Sequence, residues 1–164
     1  MKNLSSLFTV VAFIFASCNS GSNEKVSAET STTPAFDLSK ARTYIEGVNA
    51  KFGEEIKKGD STGMASHYSS DAWCMPPNEE PVKGTKEITA AWGAAIRAGI
   101  RGLKITTQDV AGDAGMLAET GSYEMYDASN NLFQKGKYVV SWKSENGEWK
   151  LYRDIWSPNS TAGK

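Results

Sequence analysis

The chain has 164 residues, 40% of them hydrophobic and 23% charged, with a formal net charge of -1. That length suits one ordinary domain, and the composition excludes a disordered chain. Its basic residues gather into no stripe, which excludes the electrostatic footprint of a nucleic-acid binder.

The first stretch, MKNLSSLFTVVAFIFASC, carries one lysine and then an apolar run from Leu7 to Ala16. A run of that length is too short for a spanning helix and suits the core of a signal peptide. Its end, Phe15–Cys18, resembles a bacterial lipobox. The resemblance implies that residues 1–17 are a lipoprotein signal and that Cys18 is lipidated. Acyl chains at ~0.8 kcal/mol per buried methylene would then hold the protein to a membrane of the bacterial cell envelope. Secretion as a soluble protein with a free Cys18 is the alternative. With Cys18 lipidated, Cys74 is left without a disulfide partner. Asn19–Ala35 is almost wholly Ser, Thr, Asn, Glu, Gly and Ala, too polar to order itself. Residues 18–36 therefore read as a flexible tether, with a reach of ~23 Å by random-coil scaling.

A helix is expected next. Asp37 is a good N-cap, and Leu38, Ala41, Ile45, Val48, Phe52 and Ile56 fall three or four residues apart. Lys57 and Lys58 suit its last turn and Gly59 its end. A shorter helix follows, capped by Asp60 or Ser61, with Met64 and Tyr68 one turn apart. DAWCMPP then alternates as a strand in which Cys74 reads as a buried, inert thiol, before a proline-rich turn bearing Glu79 and Glu80. A third helix, capped near Thr85, places Ile88, Ala91, Trp92, Ala95 and Ile96 on one side and closes at Gly99.

Beyond Ile100 the chain reads as four strands divided by the turns AGDAG, DASNN and SENG. Helices followed by short-turn strands are an α+β order, and the apolar helix stripes are expected on the concave face of an antiparallel meander. A curved sheet covered on one side leaves a mouth, where ligands often bind.

Two stretches then point to a family. KKGDSTGMASHYSSDAWCMPPNEEPVKGTKEITAAW (57–92) and NGEWKLYRDIWSPN (146–159) resemble the SnoaL-like, ketosteroid-isomerase-like branch of the nuclear transport factor 2-like superfamily, among its small secreted bacterial domains. The resemblance covers residues 37–158 and leaves 159–164 as a tail. It implies an α+β domain: a conical, strongly curved, mostly antiparallel sheet packed against three N-terminal helices, with an internal pocket. Ketosteroid isomerases use an aspartate as proton shuttle, with a tyrosine and a protonated carboxyl as oxyanion donors. The matching positions are Pro76, Phe52 and a site near Tyr138. Proline and phenylalanine move no proton, so that mechanism is not expected here.

On the last strand, WKLYRDIWSP, period-two alternation puts Trp149, Leu151, Arg153 and Ile155 on one face and Tyr152, Asp154 and Trp156 on the other. The family match turns Tyr152, Asp154 and Trp156 toward the pocket, with Tyr138, Val140 and Trp142 beside them and Phe52 and Trp92 from the helices. Asp154 would act as a general acid or base with a raised pKa. Alternatively it is a structural carboxylate bonded to Tyr138, Tyr152, Asn49 or backbone. Arg153 is expected to pair with an acid on the outer face or at a dimer contact, and His67 to pack beside Met64. One histidine and scattered carboxylates give no metal-ligand spacing, and no phosphate loop or nucleophile elbow implies a cofactor. The reading is a lipid-anchored domain that binds a small apolar or aromatic ligand. An isomerase, dehydratase or hydrolase using Asp154 and a non-catalytic interaction module are the alternatives. The resemblance also implies a homodimer.

Overall fold

Asp37 starts the first helix as its side chain predicts, with Oδ1 accepting from the backbone N–H groups of Ser39 and Lys40. Helix α1 runs Leu38–Lys58, and Gly59 follows at a left-handed φ of 72°. There the Gly59 N–H bonds the Ile56 carbonyl and the Asp60 N–H bonds that of Glu55, so the helix end is closed by backbone alone. Ala41, Ile45, Val48, Phe52 and Ile56 form the buried stripe, whereas Leu38, at its start, is exposed. The computed structural model describes residues 35–159. The expected signal, the lipidation of Cys18, the tether up to residue 34 and the tail from 160 lie outside the described residues.

Two local expectations need correction. Helix α2 spans Ser61–Ser66, capped by Asp60, and stops before Tyr68, so Met64 and Tyr68 share no helix face. Tyr68 opens strand β1 (Tyr68–Met75) instead. The Leu151 N–H bonds the carbonyl of His67, and Tyr68 pairs with Leu151. A helix of six residues has little stability of its own, and pairing with a long strand overrides it. Strand β2 (Val82–Lys83) then leads into α3, Gly84–Arg97. Thr85 does not cap that helix: Lys83 holds the cap position without a side-chain bond. Glu87, in the first turn, reaches back to accept from the Lys83 N–H instead.

The remaining strands are β3 (Gly102–Gly112), β4 (Met116–Tyr126), β5 (Leu132–Glu145) and β6 (Glu148–Pro158). They join β1 and β2 in a sheet of order β2-β1-β6-β5-β4-β3. β1 runs parallel to β6, and the other neighbours are antiparallel. Register shifts interrupt β3 near Gln108, β5 near Phe133 and β6 near Tyr152. Each extra residue bends its strand and increases the local twist, which curves the sheet. Helix α1 covers β3 closely enough that a Cβ on Gly53 would sit 2.7 Å from the Leu103 carbonyl oxygen. Helix α3 lies on β1, and one core cluster runs between helices and sheet.

Candidate functional site

Cross-strand partners share a face, so the register names the side chains that meet inside. One row crosses five of the six strands: Cys74 on β1 beside Asp154 on β6, then Val140 on β5, Glu119 on β4 and Val110 on β3. All of these residues are buried. The inner face thus carries two carboxylates, separated by a single valine, on an otherwise apolar surface.

The two carboxylates are treated differently. Glu119 is fully enclosed, and its Oε1 accepts from Asn49 Nδ2 at 2.7 Å, Thr107 Oγ1 at 2.7 Å and Tyr138 Oη at 2.6 Å. Its Oε2 accepts from Trp142 Nε1 at 3.0 Å. Four donors meet an acceptor-only group, so the side chain is a saturated structural node. Asp154 has one bond, from Tyr68 Oη to Oδ2 at 2.5 Å, and Oδ1 accepts none from the described residues. Burial pushes the Asp154 pKa from 3.8 up to about 6, opposed by the Tyr68 hydrogen bond and reinforced by the charge of Glu119. The same burial drives the Tyr68 hydroxyl and the Cys74 thiol well above their usual ranges, with the Asp154 charge adding to both. Both therefore stay neutral near pH 7, and Cys74 is an inert thiol.

Above Asp154 lies a chamber of about 50 Å³, and beyond it a cleft of about 860 Å³. Trp92 and Trp156 line both, their rings stacked at 6.0 Å with an interplanar angle of 17°. Phe52 meets the Trp92 ring edge-on at 5.6 Å and that of Tyr68 at 6.0 Å. The Trp92 indole N–H points at Tyr68 Oη, 3.4 Å away. The cleft beyond is walled by Pro76, Pro77, Ala95, Ile100, Met125 and Phe133.

Six of the expected pocket residues, Phe52, Trp92, Tyr138, Val140, Asp154 and Trp156, line the inner chamber. Trp142 does not: it lies fully buried beneath the chamber as a donor to Glu119. Tyr152 does not either. The register pairs Ser141 with Arg153 and Trp142 with Leu151, so Tyr152 is an extra residue that reverses the alternation. Leu151 and Asp154 consequently face inward together, and Tyr152 turns outward under the Arg153 guanidinium, 3.6 Å away.

The expected partners of nearby side chains also change. Asp154 takes its bond from Tyr68, while Tyr138 and Asn49 serve Glu119. Arg153 makes no ion pair among the described residues and stacks on Tyr152 and Trp73. His67 Nε2 stands 3.0 Å from both carboxylate oxygens of Glu55, with its ring 5.6 Å from that of Phe52, and does not line the chamber. Among the described residues no group of three or more His, Cys, Asp or Glu could hold a metal ion.

Neither a protein-family model nor a curated protein matches the chain by sequence. Solved structures do match. A domain of unknown function with a cystatin-like fold from Nostoc punctiforme superposes with a TM-score of 0.68, at 14% identity, over 76% of this chain and 81% of its own. A proposed dehydratase of the nuclear transport factor 2-like family from Streptomyces avermitilis gives 0.62 at 15% identity, over 76% and 100%. The fold is that of the nuclear transport factor 2-like proteins. A proposed aromatic ring hydroxylase from Novosphingobium aromaticivorans shares it, with a TM-score of 0.61 at 11% identity over 74% of this chain and 91% of that one. At such identities the likeness fixes architecture and not chemistry. The nuclear transport factor 2-like architecture accounts for the α+β order, the mostly antiparallel curved sheet and the position of the chamber between sheet and helices.

Proposed function

We propose that the chain binds a small, largely apolar molecule, with its body in the outer cleft and its polar tip at Asp154. A single observation carries this reading. Asp154 is 7% exposed, and its Oδ1 is left without a partner in a chamber walled by aromatic rings. That oxygen opens into the chamber, where a donor at a ligand's tip would complete it. The cleft volume lies in the range that small molecules occupy. A lipid on Cys18 would hold this pocket at a membrane surface. Native mass spectrometry of the gently purified full chain tests the reading. A retained adduct of a few hundred daltons, reduced in Trp156→Ala, is expected. A bare mass, together with no change in melting temperature across a library of apolar small molecules, would overturn it.

A second reading is an acid–base enzyme, favoured by the Asp154 pKa near 6 and by its Oδ1, which is open to the chamber. Relatives in fold carrying proposed dehydratase and hydroxylase names make the chemistry worth testing, although fold alone does not transfer it. On this reading a turnover found by substrate screening disappears in Asp154→Asn while the fold persists. Turnover that survives the substitution removes Asp154 from the chemistry.

A further inference from the structure

The chamber has a sign as well as a shape. Among the described residues that line it there is no Lys, Arg or His, and Asp154 supplies its carboxylate. Glu119 stands behind Val140 in the same row of the sheet, and its charge adds to the negative field at Asp154. The four donors around Glu119 are all spent on it, so none of them turns into the chamber to receive an anion. The rings of Phe52, Trp92 and Trp156 offer apolar walls, and aromatic faces attract cations. The chamber's volume of about 50 Å³ admits on the order of a few waters, or one short polar tip.

We propose that the inner chamber receives a protonated amine at the tip of an apolar ligand, with Asp154 Oδ1 as the counter-charge and the surrounding aromatic rings as its walls. The proposal rests on the ligand-pocket reading above and names the ligand's chemical class. A hydroxyl tip would fill the same lone pair but leave the buried charge uncompensated. A carboxylate tip would meet two like charges. An ammonium does neither, and its N–H donors suit an oxygen that has no other donor.

Binding of a cation is coupled to the proton on Asp154. The titratable groups packed around that carboxyl or lining its chamber are Tyr68 and Cys74 from β1, Glu119 and Tyr123 from β4 and Tyr138 from β5, while α1 and α3 present the non-titrating Asn49, Phe52 and Trp92. Tyr68, Cys74, Tyr123 and Tyr138 all have their pKa pushed upward and stay protonated near neutral pH. His67 is engaged with Glu55 on the far contact of Phe52. Asp154 is therefore the group whose ionisation gates the amine, and amine affinity rises as pH rises through about 6.

The test titrates the full chain with three probes of one body, hexylamine, hexan-1-ol and hexanoate, following tryptophan fluorescence and calorimetry. Hexylamine is expected to bind about tenfold or more tightly than hexanol at pH 7, and hexanoate not to bind. From pH 7 to pH 5 the amine should weaken by about tenfold, because only the ionised fraction of Asp154 is competent. In Asp154→Asn the advantage of amine over alcohol is expected to vanish. If that variant does not fold, Tyr68→Phe, which leaves the carboxylate in place but raises its pKa, should move the pH midpoint of amine binding upward without changing hexanol binding, and an unmoved midpoint would overturn the cation assignment. Equal affinities for amine and alcohol at pH 7, or an amine that binds better at pH 5, would overturn the cation assignment and leave the pocket standing. Failure of all three probes to bind would overturn both.

Discussion

Tyr68 Oη donates a 2.5 Å hydrogen bond to Asp154 Oδ2 across the parallel pairing of β1 with β6. The two residues are 86 positions apart in sequence, and the strand pairing brings them together. Cys74 completes the contact, its Sγ 3.9 Å from the same hydroxyl. The bond divides the Asp154 carboxyl into an occupied oxygen, Oδ2, and an open one, Oδ1.

Removing the donor exposes that division. Tyr68→Phe keeps the ring against Phe52 and deletes the hydroxyl. The hydrogen bond lowers the Asp154 pKa, so its loss should move the titration above about 6. Folding stability at pH 7 is expected to fall by about 1–3 kcal/mol, the cost of leaving a buried acceptor unsatisfied. Carbon-detected NMR of the carboxyl group reads the first effect and denaturant unfolding the second. An unchanged titration in the variant would remove Tyr68 as the partner that matters.

Asp154 also gives the fold a pH dependence of definite sign. Its folded pKa of about 6 lies above the ordinary aspartate value of 3.8, so the native state holds the proton more tightly than the unfolded chain. Its favourable contribution is present in full below about 4 and lost as pH rises through 6. The shift corresponds to about 3 kcal/mol as an order of magnitude. Exposed acids such as Asp37 and Asp71, whose pKa values are lowered by hydrogen bonds, act in the opposite sense. The clean measurement is therefore a difference: wild-type stability minus that of Asp154→Asn should decline between pH 4 and pH 6.5. A flat difference would mean that Asp154 is not desolvated in solution.

The helix α1 was legible because its cap, stripe and stop are local: Asp37, the run from Ala41 to Ile56, and Gly59 each act within a few residues. The strands after Ile100 were legible because their turns are. What failed depends on partners far away. Tyr68 read as helical because nothing within five residues reveals that Leu151 will pair with it. Tyr152 read as inward because a bulge is a property of two strands, and the register against Ser141 and Trp142 cannot be seen in β6 alone. Glu119 carries a signal of its own in the sequence. It lies in phase with Leu117, Tyr123 and Met125, an acid at an inward position of a clean alternation. The aromatic chamber followed from the family match, whereas the identity of Asp154's partner needed the strand order.

Glu119→Gln separates structure from electrostatics. Glutamine keeps one acceptor oxygen but turns an N–H₂ toward a neighbouring donor, either Trp142 Nε1 or the group of Asn49, Thr107 and Tyr138. At least one buried bond breaks, and a stability loss of about 1.5–3 kcal/mol is expected. The substitution also removes a charge that raises the Asp154 pKa, so that titration should move down. A variant with wild-type stability would show that water, not the four donors, satisfies Glu119.

Gly121 is the least conspicuous residue on which the chamber depends. It pairs with Tyr138 across β4 and β5, and the tyrosine lies over it. A Cβ at this position would sit 2.5 Å from Tyr138 Oη and would collide with the Thr106 carbonyl oxygen. The backbone cannot yield cheaply in mid-strand, so the ring must swing away and lose its bond to Glu119. Gly121→Ala is therefore expected to cost about 1–3 kcal/mol through overpacking. It should also open the wall that Tyr138 gives the chamber, weakening any ligand bound there more than Tyr138→Phe does, since that variant keeps the ring. Thermal unfolding and ligand titration of the two variants decide the point. If Gly121→Ala matches the wild type in both, the close approach of strand and ring is not maintained in solution, and the chamber is larger than about 50 Å³.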